Sequence, residues 1–383
     1  MARKIRFNKP HRAEREKQYL NDCLQKGPFS GDGPYSILAL QLLKKDYPDR
    51  EIFLTMSGTH ALELAVMLAE LKPGEEVILP SFTFPSTANA LLLRGVKPVF
   101  AEIDENNLCL DLKDVQKRIT SRTKGIIPVH YAGNSCRMES LRELGKRYNL
   151  QIIEDAAQAC GARYAENFLG GWGDFGCLSF HETKNISCGQ GGALIINKND
   201  KELLAKARIR TQKGTNRSDF LAGLVPRYEW VEKGSAYGLA ELLAAQLAAQ
   251  LEERELITAI RKKIFVVYRD ALASFVRKGL LRITEEPENG ESNYHLFYLL
   301  LPDSASREKT VNYLARYGIQ ATVHYQPLHS STMGHKIGYS PQDLPRTDNL
   351  ASRLLRLPLY PSLTETEVQR VVSVTVQALE ELL

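Results

Sequence analysis

The chain has 383 residues, of which 43% are hydrophobic and 25% are charged, as in ordinary soluble globular proteins. Its net charge of +5 arises partly from basic residues near the N-terminus, where acidic residues alternate with them. No basic face with interleaved aromatic residues is evident, which argues against a nucleic-acid partner. No stretch approaches the roughly 18 apolar residues that cross a bilayer, so no membrane span is expected.

Helix-like and strand-like segments alternate through the first two thirds of the sequence. Helical patterns are predicted for residues 58–71, 85–93, 111–119 and 138–148. Strands are predicted for residues 76–79, 98–103, 125–130, 151–154, 175–180 and 193–197. This alternation predicts an α/β fold, in which helices cover both faces of a mostly parallel sheet.

A long helix rich in alanine and leucine is predicted from about residue 239 to residue 273, as a link between two domains. Beyond it, strands are predicted at residues 294–301 and 321–325, and helices at residues 307–317 and 365–383. We therefore expect a large domain over residues 1–250, which includes the N-terminal arm, and a small α+β domain over residues 251–383.

The chain contains six cysteines, which lie among apolar segments without a CxxC pair. This usage fits reduced thiols better than a disulfide framework or a zinc site. The sequence HETK at residues 181–184 lacks the second histidine of an HExxH zinc motif, so no metal site is predicted. We expect a cytoplasmic protein.

Lys184 and Asp155 each follow a predicted strand. Because ligands of open α/β sheets bind at the carboxyl ends of the strands, both side chains are expected at one edge of the sheet. Glycines just beyond Lys184 would let the backbone approach a ligand closely. Taken singly, such an aspartate can equally cap the next turn, and most lysines are solvated.

Two further segments belong to the same predicted edge. Ser57, Gly58 and Thr59 open the first predicted helix, whose N-terminal N–H groups favour a phosphate, although an N-cap is the simpler interpretation. Phe82 and Phe84 are either core residues or a stacking face for a planar ring. An amine, a carboxylate, a phosphate cradle and an aromatic face together are what pyridoxal phosphate requires.

The sequence GWGDFG at residues 171–176 fits the dinucleotide fingerprint GxGxxG. That fingerprint follows a strand and opens a helix, whereas here it precedes a strand. We therefore favour a turn between strands. A nicotinamide-dependent sugar oxidoreductase is the alternative from another class, and a non-catalytic regulator that binds pyridoxal phosphate is a third.

Motifs along nearly the whole chain resemble the DegT/DnrJ/StrS sugar aminotransferases. The motifs are GDG at 31–33, SGTHAL at 57–62, PSFTFPSTANALLLRG at 80–95, PVHYAG at 128–133, IIEDAAQA at 152–159, GDFGCLSFHETKN at 173–185, GGALIIN at 191–197, KGTNR at 213–217, VHYQPLH at 323–329 and LLRLPLY at 354–360. The resemblance implies a fold-type I pyridoxal-phosphate transferase, similar to aspartate aminotransferase, with a large, mostly parallel sheet of the seven-stranded type and a small C-terminal α+β domain.

The same resemblance implies roles for individual residues. Lys184 corresponds to the lysine that bonds the cofactor, and Asp155 to the partner of its pyridine nitrogen. Gln158 corresponds to the group near the ring hydroxyl, and Phe84 to the stacking aromatic. The phosphate contacts correspond to Gly58, Thr59 and Ser179.

Substrate contacts are implied less directly. Lys213 and Arg217 are candidates for binding a nucleotide diphosphate. His324, Tyr325 and His329 are candidates for lining a sugar pocket, although a histidine in a strand is more often structural.

The family implies a homodimer with shared active sites, in which the loop around residues 213–217 comes close to the partner's site. Many relatives carry an asparagine that reaches the partner's phosphate, but here Tyr237 is followed by Gly238. Some relatives replace the lysine by histidine and are dehydratases, and Lys184 argues against that activity.

The forms FHETKN, KGTNR and YQPLH most resemble the members that convert dTDP-4-keto-6-deoxyglucose to dTDP-4-amino-4,6-dideoxygalactose with L-glutamate as the amino donor. This resemblance implies a role in surface glycan biosynthesis, such as lipopolysaccharide O-antigen or enterobacterial common antigen. Another dTDP- or UDP-linked keto-sugar is the alternative substrate.

Overall fold

A computed structural model describes residues 4–287 and 289–382. Its helices are α1 Glu16–Lys26, α2 Pro34–Lys44, α3 Gly58–Leu68, α4 Pro85–Leu92, α5 Leu112–Arg118, α6 Met138–Tyr148, α7 Lys201–Thr211, α8 Arg217–Leu221, α9 Glu241–Glu252, α10 Arg254–Arg277, α11 Ser304–Arg316, α12 Thr332–Lys336, α13 Pro345–Arg353 and α14 Glu365–Leu382. Its strands are β1 Glu51–Thr55, β2 Glu76–Pro80, β3 Lys97–Ala101, β4 Thr123–Ile126, β5 Gln151–Asp155, β6 Arg163–Tyr164, β7 Asn167–Phe168, β8 Phe175–Ser179, β9 Gly192–Ile196, β10 Arg282–Ile283, β11 Gly290–Glu291, β12 Phe297–Leu300 and β13 Leu354–Leu357.

The main sheet has seven strands in the order β1-β9-β8-β5-β4-β2-β3. Strand β9 is antiparallel to both of its neighbours, and the remaining pairings are parallel. Every residue of β2, β8 and β9 is buried. Continuous burial is typical of a sheet that is covered on both faces, and the predicted α/β fold with a mostly parallel sheet is therefore confirmed.

Successive residues of β5 contact different layers because side chains alternate across a strand. Ile153 packs with apolar residues of α3, among them Leu62, and Ile152 packs with Leu141 of α6. The sheet thus lies between helices on both faces, and Asp155 and Ser179 lie at the carboxyl ends of β5 and β8.

The C-terminal region builds a second core on the antiparallel sheet β10-β12-β13, against α10, α11 and α14. Ile5, among the first described residues, is also buried in this core. Its backbone N–H donates to Gly318 O at 2.9 Å, and its carbonyl accepts from Gln320 N at 3.0 Å. The division at residue 250 stays a prediction. Among the described helices, none has the length and apolar character to span a membrane.

The prediction of one long helix over residues 239–273 is wrong, because Glu253 interrupts it between α9 and α10. The Glu253 carboxylate accepts a hydrogen bond from Glu14 N at 2.7 Å, and it pairs with His11 Nε2 at 2.7 Å. The helical pattern of residues 239–273 does not predict these contacts with the N-terminal segment. The predicted strand over residues 321–325 is also absent, since only Thr322 forms a bridge there, with Arg356.

Candidate active site

Lys184 lies in the turn that follows β8, where its backbone N–H donates to His181 O at 2.9 Å. The side chain is half-buried, and its ammonium group has no hydrogen-bond or ion-pair partner among the described residues. Burial lowers the pKa of Lys184 to about 8; the Asp155 carboxylate opposes this shift and the Arg356 guanidinium adds to it. A larger fraction of the amine than in an ordinary lysine is therefore neutral, and nucleophilic, near neutral pH.

This lowered pKa predicts the pH dependence of Lys184 reactivity. Acylation by acetic anhydride, followed by mass spectrometry of the cofactor-free protein, should rise with pH through a midpoint near 8. In the Asp155→Asn variant the midpoint should move to lower pH, because the carboxylate stabilises the charged ammonium. A wild-type midpoint at the ordinary lysine value of about 10.4 would contradict the prediction.

Asp155 is the last residue of β5, and only 5% of it is exposed. Its Oδ2 accepts a hydrogen bond from Thr87 Oγ1 at 2.8 Å, and its Oδ1 accepts from Ala157 N at 3.2 Å. The backbone is held by Asp155 N donating to Pro128 O at 2.9 Å and by His130 N donating to Asp155 O at 3.1 Å. The carboxylate is therefore fixed in place at the strand end, within electrostatic reach of Lys184.

The start of α3 forms a compact cradle of free backbone donors. The N–H groups of Gly58 and Thr59 have no acceptor among the described residues, as expected for the first turn of a helix. Ser57 Oγ caps the helix by accepting from His60 N at 3.1 Å. Thr59 Oγ1 lies 2.7 Å from Ser86 Oγ, so the first turn of α4 adjoins the cradle. Two helix N-termini therefore favour an anion at this point.

Gly58 is required by the close packing of the cradle. A Cβ at this position would lie 2.8 Å from Ser179 Cβ and 3.3 Å from Leu178 O. We expect Gly58→Ala to displace the helix start and to weaken cofactor binding by roughly 10- to 100-fold, as overpacking of 1–3 kcal/mol implies. Equilibrium titration with pyridoxal phosphate measures this change.

Gly145→Ala is the matched control for Gly58→Ala. Its added methyl would meet Ile152 Cγ1 and Leu150 O at 3.2 Å within the packing of α6. It should lower the unfolding temperature without changing cofactor affinity. Equal affinity losses in the two variants would show that general destabilisation, and not the cradle, is responsible.

Aromatic side chains and Gln158 form the wall beside Asp155. Gln158 Oε1 accepts from Ala132 N at 2.8 Å, and its Nε2 donates to Tyr325 Oη at 3.0 Å. The Tyr325 ring lies 6.2 Å from the Phe84 ring and 6.0 Å from the Phe82 ring. Phe82 is buried in the core, whereas 56% of Phe84 is exposed, so Phe84 is the ring that is open to a ligand.

The candidate sugar-pocket residues have different surroundings. Tyr325 belongs to the wall just described, and the adjacent His324 accepts a hydrogen bond at Nδ1 from Arg356 Nη1 at 2.9 Å. His329 is fully buried, with Nδ1 at 2.6 Å from Ser81 Oγ and Nε2 at 3.5 Å from Asp348 Oδ2. Its burial fits a structural support better than a contact with substrate.

Lys213 and Arg217 are exposed, and the structure gives neither of them a contact with Lys184 or Asp155. Arg217 Nη1 lies 3.7 Å from Asp32 Oδ2. Large apolar side chains are exposed in the segment that follows: Phe220, Leu221, Leu224, Tyr228, Trp230 and Val231. Within one chain, this segment is separate from the Lys184 cluster.

The GWGDFG segment forms a turn before β8, as predicted, and no helix begins there. Buried Glu154 organises the turn by accepting hydrogen bonds from the N–H groups of Gly170 at 2.8 Å, Trp172 at 2.7 Å and Gly173 at 2.6 Å. Its Oε2 also lies 2.9 Å from His130 Nε2. The backbone donors of this turn are thus occupied by a carboxylate of the protein itself, which leaves no dinucleotide cradle.

Sequence reasoning missed three residues of the site: Asn185, His295 and Arg356. Asn185 follows Lys184, and its Oδ1 lies 2.9 Å from His295 Nδ1 while its Nδ2 donates to Asn293 O at 2.7 Å. The C-terminal core is thereby attached to the lysine turn. Only LLRLPLY, a motif of the resemblance, carries a signal for Arg356, and no motif covers His295.

The cluster fits pyridoxal phosphate. An unpaired, half-buried amine lies within electrostatic reach of a fixed carboxylate, and free N–H groups of a helix start form a cradle for phosphate. Gly58, Thr59 and Ser179 would hold the phosphate, Phe84 would cover the ring, and Asp155 would face its nitrogen. Lys184 would bond the aldehyde carbon.

Comparisons with known proteins agree with this fit. Residues 10–376 match the sequence profile of the DegT/DnrJ/EryC1/StrS aminotransferase family. A Streptococcus pneumoniae protein described as a sugar aminotransferase has a TM-score of 0.91 and 25% identity, covering 99% of this chain and 98% of that chain. Structures of that protein are known in a form with pyridoxal phosphate and in a form with pyridoxamine phosphate.

Two other solved structures are similar. Helicobacter pylori PseC, an aminotransferase of pseudoaminic acid biosynthesis, has a TM-score of 0.90 and 25% identity, covering 99% of this chain and 100% of that chain. A DegT/DnrJ/EryC1/StrS aminotransferase of Brucella abortus has a TM-score of 0.84 and 28% identity, covering 95% of each chain. The fold and the cofactor are thus common to this chain and its relatives.

Proposed function

The chain belongs to the DegT/DnrJ/EryC1/StrS family of pyridoxal-phosphate-dependent aminotransferases, and from this premise we propose that it moves an amino group from L-glutamate to the 4-keto carbon of a nucleotide-linked sugar. The proposed acceptor is dTDP-4-keto-6-deoxy-D-glucose, and the product is dTDP-4-amino-4,6-dideoxygalactose for a surface glycan such as O-antigen or enterobacterial common antigen. Six free, buried cysteines support a reducing compartment, and we place the reaction in the cytoplasm.

The observation that carries the proposal is the Lys184 amine, which is unpaired, has a pKa of about 8 and lies within electrostatic reach of Asp155. The specific sugar rests on the forms FHETKN, KGTNR and YQPLH, which resemble members acting on that substrate. Another dTDP- or UDP-linked keto-sugar is the competing acceptor.

The residues of this chain would divide the work as follows. Pyridoxal phosphate, when bound, carries the amino group and spreads the negative charge that forms at the substrate carbon. Lys184 Nζ removes a proton from the α-carbon of glutamate and delivers a proton in the return direction, which is general base and acid catalysis. Asp155 stabilises a positive charge on a ring nitrogen placed against it. Gln158 and Phe84 would contact the ring, and Tyr325 would hold Gln158 in position by accepting a hydrogen bond from its Nε2.

A homodimer with shared sites is part of the proposal. Exposure of 65% at Leu221, 74% at Leu224 and 77% at Trp230 leaves a contiguous stretch of chain with an apolar surface, which supports burial against a second copy. Lys213 and Arg217 directly precede this stretch, so a second copy bound there would lie close to both basic residues.

A panel of keto-sugars tests the proposed substrate. The cofactor-loaded enzyme, L-glutamate and each of several dTDP- and UDP-linked keto-sugars are incubated, and the product is identified by mass spectrometry and by NMR of the new C–N stereocentre. We expect turnover of dTDP-4-keto-6-deoxyglucose with an axial amine. Turnover of UDP-linked sugars alone would refute the proposed acceptor. If no 2-oxoglutarate were released with any of the sugars, the proposed aminotransferase activity would be refuted.

A further inference from the structure

The turn that leads from β2 into α4, residues 81–87, carries two groups of the candidate cofactor site. Phe84 is its exposed ring, and Thr87 Oγ1 donates to Asp155 Oδ2 at 2.8 Å. A buried hydroxyl group is costly unless its proton has an acceptor. The turn contains three buried hydroxyl groups, whose protons can be followed from partner to partner: those of Ser81, Thr83 and Thr87.

His329 holds the beginning of this turn from the C-terminal part of the chain. Ser81 Oγ accepts a hydrogen bond from His329 N at 3.1 Å, and Ser81 O accepts from Leu328 N at 2.9 Å. The hydroxyl proton of Ser81 is therefore left to donate to His329 Nδ1, 2.6 Å away, and the imidazole proton lies on Nε2, 3.5 Å from Asp348 Oδ2. Burial lowers the pKa of His329, which agrees with a neutral ring, and the Asp348 carboxylate opposes this shift.

Thr83 and Thr87 continue the hydrogen-bonded path from Ser81 to Asp155. Thr83 N donates to Ser81 O at 3.0 Å. In the described part of the chain, Thr83 Oγ1 has one hydrogen-bond partner, Thr87 Oγ1 at 2.9 Å, so the Thr83 proton is satisfied only there. The Thr87 proton is then directed onward to Asp155 Oδ2 rather than to Phe84 O at 3.1 Å, because a carboxylate is the stronger acceptor.

The Asp155 carboxylate and the Phe84 ring therefore share one support. Phe84 O accepts from Thr87 N at 3.2 Å, so the backbone that carries the exposed ring is tied to the residue that bonds Asp155. Over residues 4–287 and 289–382, His329 forms no hydrogen bond, ion pair or ring contact with Asp155 or Phe84. An effect of His329 on the cofactor must therefore pass through Ser81.

We propose that His329 is a positioning residue for the ring of the cofactor. Acting through Ser81 and the two threonines, it holds the Asp155 carboxylate and the Phe84 ring where the cofactor ring meets them. The inference rests on the proposed function, because it extends the ring contacts assigned there to Asp155 and Phe84. Affinity for the cofactor ring, and not the choice of sugar, should depend on His329.

Equilibrium titration of the cofactor-free full chain with pyridoxal phosphate and with pyridoxal tests the proposal, since pyridoxal has the ring without the phosphate. His329→Leu removes the acceptor of the Ser81 proton. It should weaken binding of both compounds by the same factor, roughly 3- to 10-fold, as the loss of one hydrogen bond implies. His329→Asn should restore most of the affinity, because its amide oxygen can accept in place of Nδ1. Gly58→Ala, which alters the phosphate cradle, should instead weaken pyridoxal phosphate more than pyridoxal.

Ser81→Ala keeps the proposal testable if His329→Leu does not fold, because it removes the same hydroxyl proton with the loss of a single oxygen atom. It should lower both affinities by the factor expected for His329→Leu. Thr310→Val, which removes a buried hydroxyl group in α11, is the matched control and should change neither affinity. Unchanged affinities in Ser81→Ala, a loss confined to pyridoxal phosphate, or an equal loss in Thr310→Val would each overturn the proposal.

A double-mutant cycle tests whether the effect passes through Thr87. Ser81→Ala and Thr87→Val interrupt the same path, so the loss of pyridoxal affinity in the double variant should be smaller than the product of the two single losses. A combined loss equal to that product would show that the two residues act independently, and the proposed path would be wrong.

The failure of the proposed function would look different, because these titrations contain neither an amino donor nor a sugar. If the panel of keto-sugars shows no amino transfer while Ser81→Ala weakens pyridoxal binding, the proposed function fails and the role of His329 stands. If the panel shows transfer while pyridoxal affinity does not depend on Ser81, only the present proposal fails.

Discussion

Lys184→Ala is expected to reduce amino transfer by about 10⁴-fold or more, since the proposed role of Lys184 is both to bond the cofactor and to move the proton at the substrate carbon. Lys184→Arg should be as inactive, because a guanidinium group stays protonated and cannot act as a base. Single-turnover release of 2-oxoglutarate measures both variants. Cofactor affinity should fall less than activity, since the cradle at Gly58 and Thr59 is intact.

Exposed Lys278, which follows α10, supplies the matched control for the lysine substitution. Lys278→Ala should retain the wild-type rate. Wild-type turnover of glutamate by Lys184→Ala would show that another group carries the chemistry, and the assignment of Lys184 would have to be abandoned.

Asp155→Asn should slow both half-reactions by about 10²–10³-fold, the effect of removing one preorganised electrostatic contact. The amide keeps the shape of the side chain but lacks the charge that favours a protonated ring nitrogen. Thr87→Val removes the hydrogen bond of 2.8 Å to Asp155 Oδ2, and a loss of only about 10-fold is expected. Stopped-flow absorbance of the bound cofactor follows each half-reaction separately.

The pattern across the two half-reactions tests the role proposed for Asp155. Loss of the Asp155 charge should affect both directions alike, because the proposed partner of the carboxylate is the cofactor and not the substrate. An Asp155→Asn effect confined to glutamate would contradict the role given to this residue. Unchanged rates in both directions would contradict it as well.

The central sheet could be predicted from the sequence because its strands are short apolar runs that alternate with amphipathic helices. That alternation also placed Lys184 and Asp155 at strand ends, and both occupy the same edge of the sheet. The first helices, α1 and α2, and strand β1 were not predicted. The helix break at Glu253 could not be predicted from the local pattern, and the partners of its carboxylate, His11 and Glu14, lie more than 200 residues away in sequence.

The same limit applies to the site. Gly58, Thr59 and Asp155 belong to local motifs, whereas Arg356 and His295 reach Lys184 only through tertiary packing of the C-terminal core. His329 shows the same limit from the other side, since a polar residue in a distinctive motif proves to be fully buried against Ser81. Residue type and spacing predict which groups end a strand, but burial and partners depend on chain segments that are remote in sequence.

The pairing of Ile5 with residues 318 and 320 has a consequence for how the chain folds during synthesis. Every residue expected to hold the cofactor precedes Ile319, so the ribosome has already made all of them while the N-terminal segment still lacks its partner. Contacts of such high sequence separation form late and slowly. The nascent chain can therefore form the sheet and the cradle first, and the Phe7 ring can reach the Arg356 guanidinium, 4.9 Å away in the folded protein, only after translation has passed β13.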